Sequence, residues 1–371
     1  MRIGILTLAL NTNYGGILQA YALQTLLERL GHKVVVFDTP KQRSLWILLL
    51  KFAKRTLLCC QGQKCCIFWE WTKAGRRPYI AGKKIYAFVD EHLHRKVIMR
   101  FSQLKEADYD AIVVGSDQVW RPRYFIQWGG QVVENAYLSF AKDWHIKRVA
   151  YAASFGTEIW EYDDVQTIAC KALAQKFDAV STREADAVAL CWDKFGVEAQ
   201  HVLDPTMLLS REDYCELLKD THKSAGTLLT YVLDKNADID SLIKKIAERR
   251  VLIPFEVNVT DDMSGKVEDH LKISPAQWLR GFYDAKFVIT DSFHACVFSI
   301  LFQKQFVVVG NKSRGMARFT SLLGMFGLED RLVDASTDID SLQSIDYNNV
   351  YAKLGILRQK SLEFLKSSLA R

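Results

Sequence analysis

Hydrophobic residues along the chain alternate between short unbroken runs and longer stretches with a helical period. Residues 2–8 form an apolar run suited to a strand buried on both faces, and Leu18, Ala22, Leu26 and Leu30 then recur at every fourth position. That spacing predicts a helix, which Gly31 ends as its C-cap before a second strand over 33–37 that closes on Asp38. Short runs recur at 109–115, 148–153, 179–182 and 201–203, with segments between them long enough for helices. Strand and helix in alternation predict an α/β fold with a doubly wound sheet.

After Asp204 and Pro205 the pattern restarts. A run over 227–233, a polar-faced helix over about 239–249 and a run over 251–257 come first. Ser274, Pro275 and Gln277 read as a capping box with proline at the first helical position. Strands are predicted at 286–290 and 306–309, and helices over about 292–302 and 318–326. The amphipathic tail from Tyr351 is expected to pack back across the first half. The expected domains are therefore 1–205, 206–345 and a returning helix within 346–371. Residues 41–108 fit neither sheet and read as a mostly helical insertion in the first domain.

Composition narrows the classes. With 371 residues, 49% hydrophobic and 25% charged, the chain is long enough for two domains with full cores. No apolar run approaches the ~20 residues that span a bilayer, and the start lacks the basic region of a signal peptide, so a cytoplasmic protein is expected. Four of the eight cysteines crowd into Cys59, Cys60, Cys65 and Cys66. Their spacing is not that of a zinc site and no histidine lies among them, so no metal is expected. The net charge of +6 hides an asymmetry, because residues 41–100 hold 14 Lys and Arg against 3 acids while the other 311 carry 35 against 40.

Ligands of open parallel sheets bind beyond the carboxyl ends of the strands, which makes the polar residues there the candidates. The turn 11–16, with Asn13, Tyr14 and Gly15, leads into a helix N-terminus that favours an anion. It lacks the glycine spacing of a dinucleotide fold or a P-loop and equally suits a structural turn. In the segment 115–120, Asp117 and Gln118 suit hydrogen bonds to a sugar and Trp120 suits stacking on its ring; the alternative makes Ser116 or Asp117 a helix cap and Trp120 a core residue. Ser154 and Gly156 stand at a third strand end. Arg183, at a fourth, suits a carboxylate or phosphate, or a pair with Glu184. In the segment 290–294 a strand gives way to a helix capped by Asp291 or Ser292, which sets His294 in the first turn beside unbonded N–H groups. Histidine titrates near neutrality and suits proton transfer. Cys296 reads as buried, and Arg314 and Arg318 follow the next strand.

Taken together, N-Y-G-G-I-L-Q-A-Y-A-L-Q from Asn13, V-G-S-D-Q-V-W from Val114, Y-A-A-S-F-G from Tyr151, S-T-R-E from Ser181, L-D-P-T from Leu203 and T-D-S-F-H from Thr290 resemble the polysaccharide pyruvyl transferase family. Ala295 stands where the family commonly shows glycine. The resemblance implies two Rossmann-like doubly wound domains facing a cleft, a GT-B-like architecture. It implies phosphoenolpyruvate as donor, a sugar with two suitably placed hydroxyls as acceptor, a cyclic pyruvate ketal as product with release of phosphate, and no cofactor. On that reading His294 is the acid/base helped by Asp291. Arg183, Ser292, Arg314 and Arg318 hold the donor, and Asn13, Tyr14, Gly15, Asp117, Gln118 and Trp120 meet the acceptor.

Two alternatives belong to other classes: a glycosyltransferase that uses Asp38 or the second domain for a nucleotide sugar, and a non-catalytic carbohydrate-binding or assembly subunit. Nucleic acid is not an expected partner, since no recognition motif for it is present. The basic segment 41–100 interleaves leucines and aromatics with its cations. That mixture suits either the anionic cytoplasmic face of a membrane, where a lipid-linked acceptor is held, or a basic insertion lining the cleft.

Overall fold

The computed structural model describes residues 1–11, 13–40, 45–61, 77–257, 271–310, 316–334 and 337–370. The first sheet contains β1 (Arg2–Leu6), β2 (Lys33–Asp38), β3 (Arg95–Val97), β4 (Ala111–Val114), β5 (Lys147–Ala153), β6 (Ala179–Thr182) and β7 (Gln200–His201). They run in the order β3-β2-β1-β4-β5-β6-β7 with parallel pairing, Ile3 lying opposite Val34 on one side and Ala111 on the other. The second sheet contains β8 (Leu228–Tyr231), β9 (Pro254–Glu256), β10 (Phe287–Thr290), β11 (Gln305–Val309) and β12 (Leu332–Val333), in the order β12-β11-β10-β8-β9, again parallel. Both orders reverse direction once, between β1 and β4 in the first sheet and between β8 and β10 in the second. Such switch points leave a crevice at the carboxyl ends of the strands.

Local signals account for most helix ends. Asn13 caps the helix Tyr14–Arg29 by accepting from the Gly16 N–H, and Gly31 follows its end at φ +85°, where a side chain would be strained. Ser274 accepts from the Gln277 N–H, but the Gln277 side chain turns to both backbone groups of His222, so only half of the expected capping box forms. The insertion is helical at Leu45–Cys60, Arg77–Ala81 and Lys83–His92. One expectation is corrected here: residues 41–108 do contribute to a sheet, since β3 pairs with β2. Arg95 secures it, bonding Asp38 at 3.1 Å and Asp90 at 2.7 Å. With three residues, two of them exposed, β3 has no hydrophobic pattern to read.

The helix Tyr14–Arg29 lies between the two halves and is buried nearly all round. One continuous apolar core runs from Ile3, Leu18 and Leu23 through Trp278, Phe298 and Leu301 to Val350 and Leu365. The long helix Tyr347–Leu369 returns to the first half, where the Ser361 hydroxyl accepts from the Leu203 N–H and Arg358 donates to the Met207 and Leu209 carbonyls. Trp278 is the largest residue of the junction. It is fully buried, stacked on Tyr14 at 5.5 Å and met edge-on by Tyr231 and Phe298. Replacing Trp278 with alanine is expected to cost about 3–5 kcal/mol, read as a lower urea midpoint, because the cavity opens where both halves meet.

Candidate active site

The carboxyl ends of β4 and β6, and Asp204 just beyond β7, converge on Arg183. Its guanidinium bonds Asp204 at 3.0 Å and Asp117 at 3.2 Å, its Nε lies 3.6 Å from Glu184, and the Phe293 ring of the second half covers it at 4.3 Å. All of these side chains are buried. Burial opposes the charge on Arg183, but Asp117, Glu184 and Asp204 more than reverse this and hold its pKa above the ordinary value. Burial likewise pushes Asp117 and Asp204 up, yet Arg183 and the nearby His294 bring both below the usual carboxylate range. Glu184 goes the other way: burial outweighs Arg183, the Ser154 hydroxyl and Arg318, and raises its pKa. Its Oε2 is buried with no hydrogen-bond partner among the described residues.

His294 enters this cluster from the other sheet. It sits in the first turn of the helix Phe293–Leu301, with Nε2 buried 3.7 Å from the Asp204 carboxylate and without a hydrogen bond among the described residues. The opposite face of the ring is pressed against the first turn of the helix Tyr14–Arg29, where a Cβ on Gly15 would fall 2.0 Å from Nδ1. Glycine at 15 is therefore a matter of space for the imidazole. Gln19, one turn on, accepts from the Ser116 N–H and donates to Thr7 and to the Gly16 carbonyl, which fixes the loops on both sides of the first switch point. Asn13 and Asp117 both border Gly16, each 3.6 Å from where its Cβ would be. Arg318, buried in the first turn of the helix Ala317–Phe326, completes the cluster; burial and the charge of Arg183 lower its pKa to about 10.

Several expected roles change with these positions. Trp120 is wholly buried, stacked on Tyr137 at 5.0 Å and donating to the Ala136 carbonyl, so it is a core residue and offers no face to a sugar. Tyr14 is likewise a strut between the halves, its ring on Trp278 and its hydroxyl on the Ile273 carbonyl. Gln118 accepts from Arg121 at 3.0 Å. Asp291, expected to assist His294, is engaged on the second sheet: its two oxygens accept the N–H groups of Leu233 and Asp234 and tie the end of β8 to that of β10. The carboxylate that faces the imidazole is Asp204, which was visible in the L-D-P-T motif but given no role. Arg183 is enclosed by carboxylates where a donor clamp was expected. Ser292 is the helix N-cap, makes no side-chain cap bond and stays partly exposed. Arg314 lies outside the described residues, as do Cys65 and Cys66. Asp38, named for the nucleotide alternative, is engaged by the Leu10 N–H and Arg95.

Two parallel doubly wound sheets with a buried charged cluster between their carboxyl edges define a two-domain α/β protein of the Rossmann-like, GT-B-like class. The chain belongs to the polysaccharide pyruvyl transferase family, whose model matches residues 13–313, and this family places it among transferases acting on polysaccharide. Arg314 and Arg318 fall just past the matched span. No curated protein sequence matches the chain. Similar solved structures include UDP-GlcNAc 2-epimerase from Neisseria meningitidis, with 9% identity over 100% of this chain and 95% of that one at a TM-score of 0.43. UGT89C1 from Arabidopsis thaliana shows 10% identity over 98% and 97% at 0.48, and MurG from Acinetobacter baumannii 10% over 98% and 94% at 0.38.

Replacing Arg183 with leucine leaves three buried carboxylates without their cation and is expected to cost about 3–5 kcal/mol in urea unfolding at neutral pH. The pH dependence has a definite sign. Asp117 and Asp204 have native pKa values below their unfolded ones, so the stability they provide is present above about pH 4 and is lost as pH falls through the native values. Glu184, raised, opposes this trend. Urea titrations at a series of pH values are expected to show a steep acid limb that Asp204→Asn makes shallower.

Proposed function

We propose that this transferase moves a pyruvyl group from phosphoenolpyruvate to two hydroxyls of one sugar, forming a cyclic ketal and releasing phosphate. The observation that carries the reading is the His294 side chain: buried between the two halves, oriented toward Asp204, and held at a helix N-terminus within the span matched by the family. His294 donates a proton to the methylene carbon of the donor as the first hydroxyl oxygen bonds to the central carbon. The second hydroxyl then attacks the same carbon, and the C–O bond to phosphate breaks, its electron pair leaving with the phosphate. One hydroxyl proton thus ends in the new methyl group, by way of His294, and the other leaves with phosphate.

The donor's negative charge is met by Arg318 and by the N–H groups of the first turn after Ser292, a favourable place for an anion. Arg183 is a positioning residue in this scheme, since it holds Asp204 and Asp117 in place. Asn13 and Asp117, across Gly16, are the groups that face the acceptor. No resident metal or organic cofactor is invoked. The acceptor sugar is part of a surface polysaccharide or of its lipid-linked precursor.

Incubation with phosphoenolpyruvate and a panel of nucleotide-linked and lipid-linked sugars is expected to yield one sugar that gains a single pyruvyl ketal by mass spectrometry, with equimolar phosphate. Transfer of a glycosyl group from a nucleotide sugar without phosphoenolpyruvate would overturn the proposal. His294→Ala is expected to lower turnover by about 10²–10⁴-fold while the circular dichroism stays that of the parent protein; near-normal turnover removes its role. Gly15→Ala puts a methyl group where the imidazole lies, so its turnover is expected to fall toward that of His294→Ala with a smaller loss of stability than Trp278→Ala.

A further inference from the structure

The insertion presents an exposed apolar surface on one of its helices. In the helix Leu45–Cys60, Leu49, Phe52, Leu57 and Cys60 recur at helical spacing on one face, and Leu50 lies beside them. Leu50 is 67% exposed, Leu57 59%, Leu49 54% and Phe52 45%. Lys51 and Arg55 lie on the other side, Lys54 flanks Leu50 and Leu57, and the helix contains no acidic residue. Leu49, Leu50 and Leu57, three bulky side chains exposed on a single helix, mark an interaction surface, since scattered exposure of single residues is the ordinary case.

The charge pattern selects the occupant. At 16 residues the helix is about 24 Å long, short of the ~30 Å hydrocarbon core, and no helix among the described residues is long and apolar enough to cross a membrane. A second copy of the same helix would set three cations against three with no acid between them. An anionic bilayer surface satisfies both faces: leucines and Phe52 enter the headgroup boundary while the long basic side chains reach back to lipid phosphates. The helix follows β2 at the carboxyl edge of the first sheet, the edge that also bears Asn13, Asp117 and Arg183. We propose that the helix Leu45–Cys60 docks the protein on anionic lipid. Presentation of a lipid-borne acceptor at that edge rests on the transferase reading above; the docking does not.

The test is flotation of the full chain with vesicles of phosphatidylcholine alone and of phosphatidylcholine mixed with phosphatidylglycerol. Retention is expected on the mixed vesicles at low salt, and weaker retention at high salt. Each removed cation should lower the partition by about fivefold, so Lys51→Gln with Lys54→Gln gives a loss of about 25-fold. Leu50→Ser with Leu57→Ser should also release the protein while its circular dichroism and urea midpoint stay those of the parent chain. Equal retention on both kinds of vesicle, or unchanged binding by either double variant, would overturn the proposal. So would a dimer in sedimentation velocity that Leu50→Ser with Leu57→Ser dissolves, since the face would then be a contact between copies. Because vesicle binding is read without turnover, a failed ketal assay leaves its outcome intact.

Discussion

The organisation of the molecule depends on the enclosure of one guanidinium. A single buried charge is costly, and Arg183 is tolerable only because Asp117, Asp204 and Glu184 surround it while Phe293 closes the remaining side. Those partners come from the ends of three different strands and from the opposite sheet. Satisfying Arg183 therefore fixes the carboxyl edge of the first sheet and brings the start of the helix Phe293–Leu301 against it. His294 reaches Asp204 as a consequence of the same packing.

The helix Tyr14–Arg29 makes this closeness possible. Its apolar side chains join both halves into one core, which explains why it is buried on nearly every side where a surface helix would show a polar face. Its two buried glutamines are satisfied in different directions. Gln19 holds Thr7 and Ser116 at the switch point, and Gln24 bonds the His92 carbonyl and the His94 N–H where the insertion returns to β3. With Gly15 as a seat for the imidazole, one helix thus carries the core, the loop geometry and the clearance for His294.

Much of the fold was legible from periodicity, because long parallel strands buried on both faces leave unbroken apolar runs. β3 and β12 were not, since strands of three and two residues owe their place to backbone pairing and to Arg95. The residues that gather around Arg183 were legible one by one, but not in their pairings. Arg183 stands 66 residues from Asp117 and 21 from Asp204, and no local pattern shows that their charges meet. Trp120 misled for a related reason: an aromatic ring with a polar atom suits a sugar, yet in Trp120, as in Tyr14, the polar atom finds a backbone carbonyl and the ring finds another ring.

The two switch points are used unequally, and this bears on where the chemistry falls. In the second sheet Asp291 spans the crevice by binding the N–H groups at the end of β8, which spends on internal bonding the polar groups that a ligand would need. In the first sheet the crevice between β1 and β4 keeps Asn13 at its rim and Asp117 beneath Gly16, and the histidine facing it is supplied by the other half. A donor drawn to the helix start after Ser292 and an acceptor held at the first switch point would meet at the same imidazole. On the proposed reaction, the asymmetry would make one reaction centre out of two similar sheets, with His294 as the group that both substrates share.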